Sequence, residues 1–181
     1  MKTLEDQMSL YAAYHQDPRN KATHFVGVPV IVFSLMVPLG WLRLELGGFP
    51  VSAALVVTSL LLAYYLVLDM PLGLAMCAVL GAMLALAAPL AAAPFATGLA
   101  WFLALFVGGW ALQLWGHVFE GRKPALVDNL FQIFVAPIFL AAEVFFALGY
   151  KPALRRAVQR RALVLREQAL AAKAEVGSPA S

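Results

Sequence analysis

Five apolar runs, residues 25–42, 52–68, 72–90, 98–115 and 130–150, restrict this chain to a narrow set of folds. Each is close to the roughly 17–25 residues that an α-helix needs to cross a bilayer. Only backbone that satisfies its own hydrogen bonds is viable in lipid. Composition supports this reading: 62% of the residues are hydrophobic, 13% are charged and the mean hydropathy is +0.81. Soluble domains run nearer 45–50% and 25%, and a chain of 181 residues cannot hide so much apolar surface from water. The expected fold is an all-α integral membrane protein. It should have four to five transmembrane or embedded helices, an N-terminal amphipathic helix and a C-terminal basic interfacial helix. Residues 1–175 are expected to form one membrane-embedded domain and 176–181 a disordered tail. The polar first 24 residues lack the apolar core of a secretory signal, so the first run is expected to be kept as an anchor.

The breaks between the runs carry the chemistry. Residues 3–16 read as a short amphipathic helix, with Thr3 and Asp6 at capping-box spacing. Asp17-Pro18-Arg19-Asn20 reads as a turn. Without a break, His15 and His24 would stand about 180° apart on one helix; with it they can face each other. Runs two and three form a tight pair, so run one begins and run four ends on the same membrane side. His15, His24, His117 and Glu120 therefore meet there, with Asp69 on the same side. Run five, interrupted by Pro137 and carrying Glu143, is expected to be embedded rather than spanning. Five cations (Lys2, Arg19, Lys21, Arg122, Lys123) and the seven that follow run five then gather on one side, as the positive-inside rule prefers. That side is expected to be cytoplasmic, in an inner membrane if bacterial or the endoplasmic reticulum if eukaryotic. Beyond Lys151, apolar Leu154, Val158, Ala162, Leu165 and Ala169 form a stripe on a basic helix, expected to lie on anionic headgroups.

The stretch from Gln113 to Leu126 gathers an amide, an imidazole, a carboxylate and two cations at the end of an apolar run. Gln113, His117 and Glu120 share one helical face. Imidazole suits iron, zinc and copper, and two histidines with one carboxylate make a facial triad with open positions. Gln113 is placed to orient an imidazole from behind. Arg19, Arg122 and Lys123 are candidates to hold an anionic head group. Glu143 is notable because a carboxylate within an apolar run is costly. Other readings stay open at this point: interfacial histidines in a non-catalytic lipid-binding or transport protein, a bis-histidine haem protein, or a zinc-dependent lipid hydrolase. Single Cys77 excludes an internal disulfide and a cysteine-rich metal site. Basic residues beside apolar runs point to lipid or an anionic substrate rather than nucleic acid.

Two signatures now stand out. The first is Tyr11-x-x-Tyr14-His15-x-x-Pro18-x-Asn20-x-x-x-His24-x-x-x-Val28-Pro29. The second is Trp110-x-x-Gln113-x-x-Gly116-His117-x-Phe119-Glu120-x-Arg122-x-Pro124-Ala125-Leu126-x-Asp128-Asn129-Leu130. They resemble those of the Mpo-like family of membrane 2-hydroxy fatty acid dioxygenases, and Ala136-Pro137-x-Phe139 with Glu143 continues the likeness. The resemblance implies an iron(II) enzyme that uses molecular oxygen to shorten a long-chain 2-hydroxy fatty acid by one carbon, an α-oxidation. It implies metal binding by His15, His24 and His117. Glu120 matches a motif acid whose role as ligand, base or structural partner stays open; it is carried forward among the metal-site residues and, with His117, among the catalytic ones. Arg19, Arg122 and Lys123 are carried forward as substrate-binding.

Overall fold

The computed structural model describes residues 3–121 and 131–177. In chain order these form α1 (Leu4–Ala13), α2 (Pro18–Trp41), the strands β1 (Arg43–Leu46) and β2 (Phe49–Ser52), α3 (Ala53–Leu68), α4 (Met70–Ala92), α5 (Phe95–Glu120), α6 (Gln132–Ala147) and α7 (Pro152–Gly177). Helices α2, α4 and α5, of 24, 23 and 26 residues, are long and apolar enough to cross a membrane. At 1.5 Å per residue they reach about 35–39 Å. Apolar α3 and α6 have 16 residues each. Leu60, Val67, Leu86, Val107 and Val118 remain largely exposed on the outer faces, a surface suited to lipid rather than to water. The architecture is a membrane-embedded helical bundle.

Capping chemistry sets where the first two helices begin. Thr3 and Asp6 form the expected capping box, with Thr3 N donating to Asp6 Oδ2 at 2.9 Å and Asp6 N to Thr3 Oγ1 at 3.1 Å. Residues 18–20, expected as a turn, are instead the first turn of α2. Asp17 is its N-cap, its Oδ1 accepting from Arg19 N at 2.8 Å, and Pro18 takes the first helical position, where a missing N–H is harmless. The chain reversal lies just before, at residues 14–17. The segment after α2, expected as a plain connection, is a two-residue hairpin turning at Gly47 and Gly48, both with positive φ.

Helix α5 packs closely against α2, its Gly109 and Gly116 seated directly against α2 side chains. A Cβ on Gly109 would sit 2.7 Å from Ile31 Cγ1, and one on Gly116 would sit 2.1 Å from Thr23 Oγ1 and 2.6 Å from Asn20 Oδ1. Small residues permit this approach, and it brings the start of α2 beside the end of α5.

Helix α6 and the residues just after it are tied to α2, α3 and the α3–α4 joint. Tyr65 Oη, near the end of α3, donates to Phe134 O at 2.6 Å. Lys21 at the start of α2 pairs with Glu143 at 3.3 Å, and Asp69 at the α3–α4 joint pairs with Lys151. Glu143, costly in isolation, thus has its partner. Asp69 is also the N-cap of α4 and takes no part in the histidine group. The apolar stripe of α7 packs on α1 rather than lying free for headgroups. Val158 and Ala162 are buried, and Leu154 and Leu165 lean on the core, while Arg155, Arg156 and Arg160 stay exposed. The Arg161–Asp6 pair and Gln159 Nε2 donating to Gln16 Oε1 at 2.9 Å reinforce the contact.

Candidate metal centre

Three buried imidazoles converge where α1, α2 and α5 meet. His15, His24 and His117 are 2%, 4% and 6% exposed, and one ring nitrogen from each lies within 4.8 Å of the others. Ring centroids are 4.5, 5.0 and 5.2 Å apart, with planes at 65–83° to one another. Three rings presenting their edges to one point is the arrangement a single cation needs.

The local backbone decides which nitrogens face inward. His15 Nδ1 lies 2.7 Å from Tyr11 O and His24 Nδ1 lies 2.8 Å from Asn20 O, each four residues back. A carbonyl only accepts, so both Nδ1 atoms carry the proton and both Nε2 atoms present lone pairs. Those two Nε2 atoms are 3.1 Å apart. Two lone pairs at that distance repel unless a cation lies between them. Metal–imidazole bonds of about 2.0–2.1 Å at right angles would put two nitrogens about 3 Å apart, so the residues fit a metal. Burial, then the neighbouring His24, hold the His15 pKa well below the ordinary imidazole value, which favours the neutral, ligating form. Tyr11 stacks on His15 at 4.0 Å and 9°, and also packs against Phe139.

The group of potential metal donors found among the described residues is the three histidines. The Glu120 carboxylate, beside them, forms a clamp. Its Oε2 accepts from Gln16 N at 3.0 Å, Asp17 N at 2.7 Å and Asn20 Nδ2 at 3.2 Å, and its Oε1 accepts from Arg166 at 2.6 Å. The side chain is fully buried. It therefore pins the reversal that carries His15 over His24 and fastens α7 to the site. Hydrogen bonds to a charged group contribute about 1.5–3 kcal/mol. Glu120→Ala should lower metal affinity by about 10–100-fold, as loss of a supporting residue does, and Arg166→Ala should reproduce part of that loss. Competition against a chelator measures both; a fully normal Arg166→Ala would favour a ligand role for Glu120 instead.

Arg19 is largely exposed. It pairs with Asp17 at 2.8 Å and lies over the Phe119 ring at 4.6 Å, and its pairing holds the Asp17 pKa down to about 2. Arg122 and Lys123 lie outside the described residues. The histidines open into a cavity of about 60 Å³ whose polar wall is completed by Tyr11, Gln113 and Gln132. Its apolar wall includes Val28, Val32 and Trp110, and no lysine or arginine lines it among the described residues. Val28 and Val32 also line a second, apolar cavity of about 150 Å³ between α2, α4 and α6. Pro29 and Met83 of that cavity continue into an apolar groove bounded by Phe33, Leu86 and Trp101. Tyr11, Asn20, Gln132 and Arg166 were not singled out as site residues by the sequence. Tyr11 and Asn20 did belong to the first signature, each four residues before a histidine, which was the available signal.

Residues 1–148 match the family described as 2-hydroxy-palmitic acid dioxygenase Mpo1-like. The chain is 36% identical over 160 residues to 2-hydroxy-palmitic acid dioxygenase MPO1 of Saccharomyces cerevisiae, a match covering 86% of this chain and 87% of the yeast protein. No solved structure matches.

Proposed function

Since this chain belongs to the Mpo1-like family of 2-hydroxy-palmitic acid dioxygenases, we propose that it is an iron(II)-dependent dioxygenase that shortens long-chain 2-hydroxy fatty acids by one carbon. The observation that carries this reading is the buried group of three histidines, opening on an apolar cavity. The overall reaction turns a 2-hydroxy acid of n carbons and one O₂ into an acid of n−1 carbons, carbon dioxide and water. Atoms and electrons balance without an outside reductant. Iron(II), when bound by His15, His24 and His117, supplies a Lewis acid for the head-group oxygens and a redox centre for oxygen.

The protein supplies the rest. Tyr11 O and Asn20 O hold two imidazoles in the ligating tautomer, and Glu120 keeps the reversal closed. The apolar wall excludes water and fixes the head of the substrate against the site, converting an encounter in lipid into an oriented one. The acyl tail runs past Val28 and Val32 into the cavity between α2, α4 and α6, then along the groove beside Phe33 and Trp101. His117 stands as both ligand and catalytic residue in this reading. Arg19, paired with Asp17, would serve the substrate only at the entrance, and Arg122 and Lys123 remain candidates for that role.

The same reading sets the membrane arrangement. Helices α2, α3, α4 and α5 cross, and α6 lies embedded at the histidine end. The cations after α6 then join those before α2, the distribution of a cytoplasmic face. Purified iron-loaded protein should convert 2-hydroxypalmitate and oxygen to pentadecanoic acid, read by mass spectrometry; a product of unchanged chain length would reject the assignment. Met83→Trp, which fills the tail cavity, should lower kcat/KM for 2-hydroxypalmitate by about tenfold or more while sparing a short 2-hydroxy acid.

A further inference from the structure

Two glutamines in the wall of the histidine cavity each carry a buried polar atom with no hydrogen-bond partner among the described residues: Gln113 Nε2 and Gln132 Oε1. Both residues are nearly inaccessible, at 5% and 3% exposure, and both line the cavity that His15, His24 and His117 line. Buried polar groups are normally paired, and an orphan calls for an explanation. Gln113 stands one helical turn before His117 on α5, so the two share a face. Its amide rests against Gly27, where a Cβ would lie 2.9 Å from Nε2. Gln132 opens α6, on a different wall. One unpaired end is a donor and the other an acceptor.

We propose that this pair reads the head of the substrate, Gln113 Nε2 donating to the carboxylate and Gln132 Oε1 accepting from the 2-hydroxyl; this rests on the 2-hydroxy acid reading above. A 2-hydroxy acid offers the matching set, since a carboxylate only accepts and a hydroxyl can donate. Among the described residues that line the cavity, the Gln113 amide is an unpaired donor available to the carboxylate. An acid without the hydroxyl leaves Gln132 Oε1 unpaired, and a site built around a hydrogen bond discriminates strongly against the analogue that lacks it.

The test is anaerobic binding, so that no turnover intervenes, of 2-hydroxypalmitate and palmitate to the iron(II)-loaded full chain by equilibrium dialysis. Wild type should prefer the hydroxy acid by about tenfold or more. Gln132→Leu should weaken the hydroxy acid by about that factor and leave palmitate within about twofold, erasing the preference. Gln113→Leu should weaken both acids alike and keep the preference. Iron stoichiometry is measured on each variant. The inference is overturned if Gln132→Leu keeps the wild-type preference, if the two variants behave alike, or if either loses iron, which would make the glutamine a support for the histidines. A wild type that forms pentadecanoic acid without preferring the hydroxy acid also overturns it. A wild type that neither forms that product nor prefers the hydroxy acid instead defeats the underlying functional reading.

Discussion

Alanine at His15, His24 or His117 is expected to leave a folded, helical protein without its metal. Each imidazole supplies one of three inward nitrogens within 4.8 Å, and two nitrogens alone make a poor site. The loss should exceed the about 10–100-fold that removing a supporting residue costs. Metal analysis after gel filtration, with circular dichroism as the folding control, makes the comparison. Alanine removes a ring from a buried cluster and opens a cavity, so some destabilisation is expected at all three positions. Metal retained at full stoichiometry in any one variant would remove that histidine from the ligand set. Turnover unaffected by all three would mean that the histidines merely pack at a membrane interface.

Valine at Gly116 should destroy the site without altering a ligand. Its Cβ would meet Thr23 and Asn20 at 2.1 and 2.6 Å, inside any normal contact. Asn20 is the residue whose carbonyl orients His24 and whose amide donates to Glu120. Overpacking typically costs about 1–3 kcal/mol, and here the displaced atoms are those that position the imidazoles. Metal affinity and thermal stability should fall together. Gly108→Val is the control, since a Cβ there meets nothing within 4 Å; it should bind metal and melt like wild type. Normal metal binding by Gly116→Val would show that the close approach of α5 to α2 is not what assembles the histidines.

The convergence of the three histidines was legible because polar groups are confined to the ends of apolar runs and helix parity then fixes which ends meet. The reversal before α2 was legible as a break, but its place was not. Asp17-Pro18 serves a turn and a helix N-terminus equally well, and only the hydrogen bond from Arg19 N to Asp17 Oδ1 decides between them. The hairpin does have a sequence signal: Arg43-Leu44-Glu45-Leu46 alternates polar and apolar, and Gly47-Gly48 follows. Glu120 illustrates a harder limit. Helical spacing puts it on the face of His117, yet its partners are main-chain amides more than 100 residues away, and nothing in the local pattern names them. Arg166 is one cation among many on a basic helix, so its pairing could not be singled out. Gln132 gave no more signal than one polar residue near the start of an apolar run. The stripe on α7 was read correctly as apolar, but an apolar stripe does not say whether lipid or α1 covers it.

In this mechanism the three histidines hold an iron at which a 2-hydroxy fatty acid is oxidised by oxygen alone. This is tested most directly by oxygen uptake. Protein loaded anaerobically with iron(II) is mixed with 2-hydroxypalmitate, a measured amount of oxygen is admitted without added reductant, and oxygen consumed is compared with pentadecanoic acid formed. One oxygen per acid is expected, and no product from metal-free or zinc-loaded protein. Iron bound at full stoichiometry with no shortened acid, or equal product without iron, would contradict it.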